Sequence, residues 1–314
     1  MTAYPSAPME FYVLVLLCGA TVVLSARAVW KYLRTGREHR VIKKNLTGLP
    51  ANSNTAAIME IKTRLASRQT FRFIVLGDTH LDFSTTSSII EHAGRHNPDF
   101  IIHTGDFVNN GTFRQYKKNI DYFEKLPLPI LVCAGNHDLE NYGIRCFSHL
   151  FGPLNFFFDV NGHRFIFLNN VSRTVNTDML ELPDAGYHYR LSRGLDRHLT
   201  AYIEPLLQQS SSSFIIMHMP PPVKPFDFYC FARNADTFIS LMSSHAERIN
   251  GVFFGHIHGF GEMVFQGVSY INAGGGSIRN IGHKQQEGII RRYNYVLVDV
   301  GENGVSHRVC FIDK

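Results

Sequence analysis

Phe71–His80 reads FRFIVLGDTH, an apolar run broken only by Arg72, closed by Gly77 and followed at once by Asp78 and His80. Four later stretches share this grammar: DFIIHTGD (Asp99–Asp106), PILVCAGNHD (Pro129–Asp138), SFIIMHMPP (Ser213–Pro221) and GVFFGHIH (Gly251–His258). Short apolar runs that stop at a turn residue read as buried strands. The intervals Thr86–His96, Thr112–Leu126 and Gly194–Gln209 suit connecting helices, so the chain is expected to be α/β. FFFDVNGHRFIFLNN (Phe156–Asn170) predicts a hairpin turning at Asn161-Gly162. Met263–Ala273 and Tyr293–Ile312 predict further antiparallel strands.

In open α/β sheets, ligands bind beyond the carboxyl ends of strands. Those ends present Asp78 and His80, then Asp106, then Asn136 and His137, then His218, then His256 and His258. Oxygen and imidazole donors of this kind suit Zn, Mn or Fe. In Asp78-x-His80 and His256-x-His258, side chains two apart on extended backbone would project to one side. Gly77, Gly105, Gly135 and Gly255 would let the chain turn sharply and keep bulk away. Two cations held close together need an anionic bridge, for which Asp106 stands out.

G-D-T-H, G-D, G-N-H-D, a strand-borne His and G-H-I-H, in this order, resemble the calcineurin-like metallophosphoesterase superfamily. The likeness is nearest to its bacterial branch of cyclic-nucleotide phosphodiesterases and purple-acid-phosphatase relatives, and runs from Phe71 to the C terminus. It implies a four-layer α/β/β/α sandwich and a binuclear metal centre of Mn, Fe or Zn. Carried over, the pattern makes Asp78, His80 and His258 ligands of one metal and Asn136, His218 and His256 ligands of the other, with Asp106 bridging. His137 matches the histidine that contacts the scissile phosphate and assists the leaving group; Asp138 is placed to orient that imidazole. The reaction implied is phosphoester hydrolysis, with a water shared and acidified between the ions attacking phosphorus in line. Neither G-x-S-x-G nor a Walker motif occurs, so nothing points to a covalent or nucleotide-triphosphate route.

The 314 residues carry a net charge of +5, which invites a nucleic-acid reading until it is located. Residues 1–72 hold 11 Lys and Arg against Glu10, Glu38 and Glu60, a net of +8, leaving −3 for residues 73–314. A phosphate-tracking groove on the main domain is therefore not expected, and a nuclease or other partner of polymeric nucleic acid is disfavoured. Phe11–Ala26 is 16 residues without a charge, and continuing to Trp30 adds only Arg27. Twenty helical residues span ~30 Å, the thickness of a bilayer core. Seven basic residues between Arg27 and Lys44 follow, against one Glu. The expectation is a single-pass transmembrane helix with the catalytic domain cytoplasmic by the positive-inside rule. A cleaved signal peptide is the competing reading, but its basic n-region is missing.

Residues 1–30 thus read as a membrane anchor, 31–70 as a basic juxtamembrane segment and linker, and 71–314 as the metallophosphoesterase domain. Within the linker, 45–57 is rich in turn residues and Ile58–Arg68 suits a short basic amphipathic helix. Five cysteines without a C-x-x-C pair point to a reducing compartment. Substrate readings span a phosphodiester, a cyclic nucleotide and a lipid-linked phosphate. A non-catalytic partner-binding scaffold would show eroded ligand positions, and none is eroded here. His103 reads as structural; Arg145, His188, Arg190 and Arg193 are candidates for reaching phosphate. The Pro-rich aromatic stretch Met219–Asn234 is expected to wall the site or to pack on its own domain.

Overall fold

The computed structural model describes residues 41, 44–171, 195, 197–231, 233–278 and 287–313. Met1–Gly48 and Leu49–Lys314 are separate compact units, and the fold belongs to the second. The expected membrane helix lies outside the described residues, among which no helix is long and apolar enough to cross a bilayer.

Two sheets carry the fold. The first has the order β11 (Gly304–Phe311), β10 (Asn294–Gly301), β1 (Phe71–Leu76), β2 (Phe100–His103), β3 (Ile130–Val132). The second runs β4 (Phe156–Val160), β5 (His163–Phe167), β6 (Ser213–Ile216), β7 (Ile249–Phe254), β9 (Val268–Ala273), β8 (Phe260–Phe265). β1, β2 and β3 are mutually parallel, as are β5, β6, β7 and β9. Antiparallel partners complete each sheet, and the hairpin turns over Asn161-Gly162 as expected, both residues having positive φ.

Period-two alternation explains how the sheets stack. Phe71, Phe73 and Val75 of β1 join Phe165, Phe167, Phe214, Phe253 and Ile271 in one core between the sheets. Ile74 and Leu76 point the other way, onto Ile89, Ile90 and Ala93 of α2 (Phe83–Gly94). Phenylalanines dominate the inner core: Phe73 stacks on Phe100 at 5.0 Å and meets Phe214 edge-on at 5.2 Å. Each such pair adds ~0.5–1.5 kcal/mol beyond its buried area. α3 (Phe113–Phe123) and α4 (Gly143–Leu150) follow β2 and β3. Beside the second sheet, Arg164 of β5 and Arg248 before β7 hold carbonyls at the end of α5 (Arg197–Gln208), with α6 (Ala235–Ser244) next in line.

The segment before β1 differs from its expectation. α1 begins at Ser53, inside the stretch read as linker, and runs to Leu65. Ala57, Ile61 and Leu65 enter the inter-sheet core, which settles the helix by burial rather than by a charged face. Asn54 donates to the Val132 carbonyl at 3.0 Å and accepts its N–H at 2.9 Å, so one amide side chain satisfies the open edge of β3.

Candidate metal centre

The carboxyl ends of β1, β2, β3, β6 and β7 meet, and the residues just past them face one another. Asp78, His80 and His258 offer donor atoms within 4.8 Å of one another; Asp106, His218 and His256 form a second such group. His80 and His258 oppose their Nε2 atoms at 3.2 Å, with Asp78 Oδ1 3.6 Å from His258 Nε2. In the second group His218 Nε2 lies 3.2 Å from Asp106 Oδ2, 3.1 Å from Asn136 Oδ1 and 3.2 Å from His256 Nδ1. Asp106 Oδ2 is also 3.9 Å from His80 Nε2, so this carboxylate faces both groups.

His218 Nδ1 sits 2.9 Å from the Thr104 carbonyl and donates to it, which turns Nε2 toward Asp106 and Asn136. Asp78 and Asp106 are buried, and among the described residues their ion partners are histidines, not Lys or Arg. Two buried carboxylates crowded among imidazoles are costly without a further cation, and this donor set fits one. Without such a cation, burial and the Asp106 charge push the Asp78 carboxyl well above the usual range. Burial also opposes charge on Asp106 and on His218, but their mutual attraction outweighs it. Asp106 is held well below the usual range and His218 is raised to about 9. Burial, then His80, takes His258 down to about 3.

The turns are made differently from the expectation. The ligand pairs are not on extended backbone: Asp78, His80, Asp106 and His256 all have left-handed φ, between 46° and 68°. The ligand residues themselves take the strained conformation, which side chains adopt at a cost of order 1–3 kcal/mol each. The glycines mainly provide clearance. A Cβ on Gly135 would collide with Asp106 Oδ1 and its N–H, and one on Gly274 would stand 2.6 Å from Asp78 Oδ2. Glycine at these positions lets neighbouring loops close on the carboxylates.

Asp138 also departs from its expected role. It does not orient the His137 ring: Oδ2 accepts N–H groups of Asp106 and Gly135 at 2.7 and 2.8 Å, and Oδ1 those of Phe107 and Val108 at 3.0 Å each. A fully buried carboxylate ringed by four unpaired backbone donors takes those first. Burial and then Asp106 raise its pKa to about 7, while Gly135 and Val108 pull the other way. His137 instead places Nδ1 2.6 Å from the Asn109 carbonyl, and its backbone N–H donates to Asp106 Oδ1 at 2.8 Å. Its ring is half-exposed, 5.0 Å from that of His80.

His103 is structural: its Nδ1 accepts the Gly105 N–H and its Nε2 meets Thr79 Oγ1 at 3.0 Å, bracing two ligand turns. Of Met219–Asn234, Phe226 and Phe231 pack inward on Phe254 and Phe238, whereas Tyr229 lies 5.9 Å from the His256 ring. Arg145 is half-buried on α4; His188, Arg190 and Arg193 lie outside the described residues. Thr104, Asn109, Gln115 and Tyr116 carry no sequence signal: Gln115 and Tyr116 act on backbone groups, and Thr104 and Asn109 act through their own carbonyls.

The chain is similar to an uncharacterized metallophosphoesterase, YkuE, of Bacillus subtilis (strain 168), with 30% identity over 136 residues, 40% of this chain and 48% of the relative. It therefore spans about half the length of that relative. A probable cyclic nucleotide phosphodiesterase of Ruthia magnifica subsp. Calyptogena magnifica is 23% identical over 64% of this chain and 83% of the relative. Among solved structures, a dimetal phosphatase from Danio rerio shares the fold, with a TM-score of 0.54 and 14% identity, covering 77% of this chain and all but 1% of the other. The description "Calcineurin-like phosphoesterase" matches residues 71–260, which include all seven expected metal ligands, and the chain belongs to that family.

Proposed function

We propose that the chain is a metal-dependent phosphoester hydrolase with two metal ions, one held by Asp78, His80 and His258, the other by Asn136, His218 and His256, and Asp106 between them. The observation that carries this is the pair of converging donor groups sharing the Asp106 carboxylate, with a half-exposed histidine ring beside them. Bound there, a pair of ions of the Mn, Fe or Zn type would supply charge to phosphate oxygens and acidify water near neutrality.

The chain's own residues do the rest. Thr104 fixes the donor tautomer of His218, and Asp138 holds the loop that presents Asp106. His137, with Nδ1 committed to the Asn109 carbonyl, keeps Nε2 for the leaving oxygen, and such proton donation contributes typically about 10²–10⁴-fold. The names of relatives favour a phosphodiester or cyclic nucleotide, and the apolar N-terminal run leaves a lipid-linked phosphate as the alternative. The 11–26 run and the basic residues after it support a single-pass anchor with the catalytic domain facing the cytoplasm. Protease protection of residues 49–314 on the far side of the membrane would rule that orientation out.

The deciding experiment loads the purified chain with Mn²⁺, Fe²⁺ or Zn²⁺, counts metal by elemental analysis, and assays mono-, di-, cyclic and lipid-linked phosphates. Two ions per chain and turnover of at least one class are expected. A chain that retains no metal after Mn²⁺ loading would sink the proposal.

A further inference from the structure

The loop Asn109–Gly111 lies between the ligand Asp106 and α3; the Asn109 carbonyl receives the His137 Nδ1–H at 2.6 Å, and the Asn109 side chain hydrogen-bonds His80. That carbonyl is set from behind. Gln115, in the first turn of α3, accepts the N–H groups of both Asn109 and Asn110 on one oxygen, each at 3.0 Å. Asn141 donates to the Asn110 carbonyl at 2.6 Å, pinning the next peptide of the loop from the His137 side. The next residue of α3, the buried Tyr116, donates to the Asp138 carbonyl at 2.8 Å and faces that of Gly143 at 3.2 Å. One helix turn therefore grips both loops that meet at His137. Clearance leaves no slack, since a Cβ on Gly111 would run into the Glu140 carbonyl.

We propose that Gln115 is a positioning residue for His137: by holding the Asn109–Asn110 peptide it aims the Asn109 carbonyl, and through it the imidazole Nε2, at the leaving-group oxygen. The inference rests on the phosphoesterase reading with His137 as donor. In that step the bond between phosphorus and the leaving oxygen breaks and that oxygen takes the Nε2 proton; the attacking water puts its oxygen on phosphorus and releases one proton to solvent, from which Nε2 is reprotonated. Among the described residues Gln115 bonds to no proposed metal ligand, and without it the Asn109 and Asn110 N–H groups lose their acceptor, so the Asn109 carbonyl loses its hold from the α3 side.

A donor that is misaimed harms poor leaving groups and spares good ones, whereas lost metal or lost fold harms both alike. The test compares kcat for benzyl and 4-nitrophenyl esters of phosphate in the full-length, metal-loaded protein, with metal content measured on each variant. His137→Ala should lower the benzyl rate by about 10²-fold or more relative to the nitrophenyl rate. Gln115→Leu should reproduce at least about 10-fold of that selectivity at unchanged KM and metal content, and Gln115→Glu, which keeps an accepting oxygen, should restore it. Equal losses on both esters in Gln115→Leu, or no loss, would overturn the proposal while leaving the His137 reading intact. Absence of selectivity in His137→Ala would instead remove the reading on which it rests, and the proposal with it.

Discussion

Asp138→Asn is the substitution whose outcome separates the observed geometry from the role expected of an imidazole-orienting carboxylate. The change keeps shape and volume but turns one acceptor oxygen into an NH₂ group. Whichever oxygen is replaced, two of the four backbone donors now face a donor: Asp106 and Gly135, or Phe107 and Val108. Each buried N–H left without an acceptor costs ~1–3 kcal/mol, giving ~2–6 kcal/mol before compensation. Relief of repulsion between Asp138 and Asp106 returns part of this, so a net loss of about 2–4 kcal/mol is expected. The assay is a urea titration at pH 8 with chelator present, above the value of about 7 to which burial raises this carboxyl. Tyrosine near-UV dichroism is the suitable probe, because the single tryptophan, Trp30, precedes the Leu49–Lys314 unit that contains Asp138. A stability change below ~1 kcal/mol, with activity lost, would refute the scaffold role and return Asp138 to His137.

Other outcomes follow from the same geometry. Asp106→Ala should abolish metal retention, measured by elemental analysis after Mn²⁺ loading, whereas His137→Ala should retain metal and lose about 10²–10⁴-fold in turnover. Gly135→Ala, whose Cβ would meet both the carboxylate and the N–H of Asp106, should weaken metal affinity although it alters no ligand; calorimetric titration with Mn²⁺ reads this directly. Burial lowers the His103 pKa from 6.5 to about 3, so below pH 6.5 the unfolded chain binds a proton that the folded chain refuses. Stability should therefore fall as pH drops from 6.5 toward 3, by about 4–5 kcal/mol in all from this group. His103→Gln should flatten that slope in denaturant titrations across the window. Asn54→Leu removes both bonds to Val132 at the edge of β3 and should cost ~1–3 kcal/mol, seen as a shifted urea midpoint.

Which residue types gather was legible in the chain itself. Apolar runs of strand length, each stopping at a glycine and a polar donor, are local patterns, and a strand's carboxyl end is where an α/β sheet leaves room for a ligand. Asp78, His80, Asp106, Asn136, His137, His218, His256 and His258 could be named as a cluster on that ground, as could the Asn161-Gly162 hairpin; the family resemblance is what divides ligands from His137. Three features were not readable, each for a physical reason. The left-handed backbone at Asp78, His80, Asp106 and His256 is imposed by contacts across two sheets, and no local propensity of Asp or His demands it. The fate of Asp138 depended on which backbone N–H groups the fold left unpaired, a quantity that exists only once the Asp106–Val108 turn has formed. The α1 boundary was misread because Ser53–Ala57 is weakly helical by composition and is held by Asn54 on a strand edge far along the chain. Sequence determined the donor set, its order and the strands that carry it, since those follow from residue type and period. Tertiary structure alone decided how the donors are aimed, because the groups that aim them are mostly backbone carbonyls and amides, which every residue carries and no sequence pattern marks.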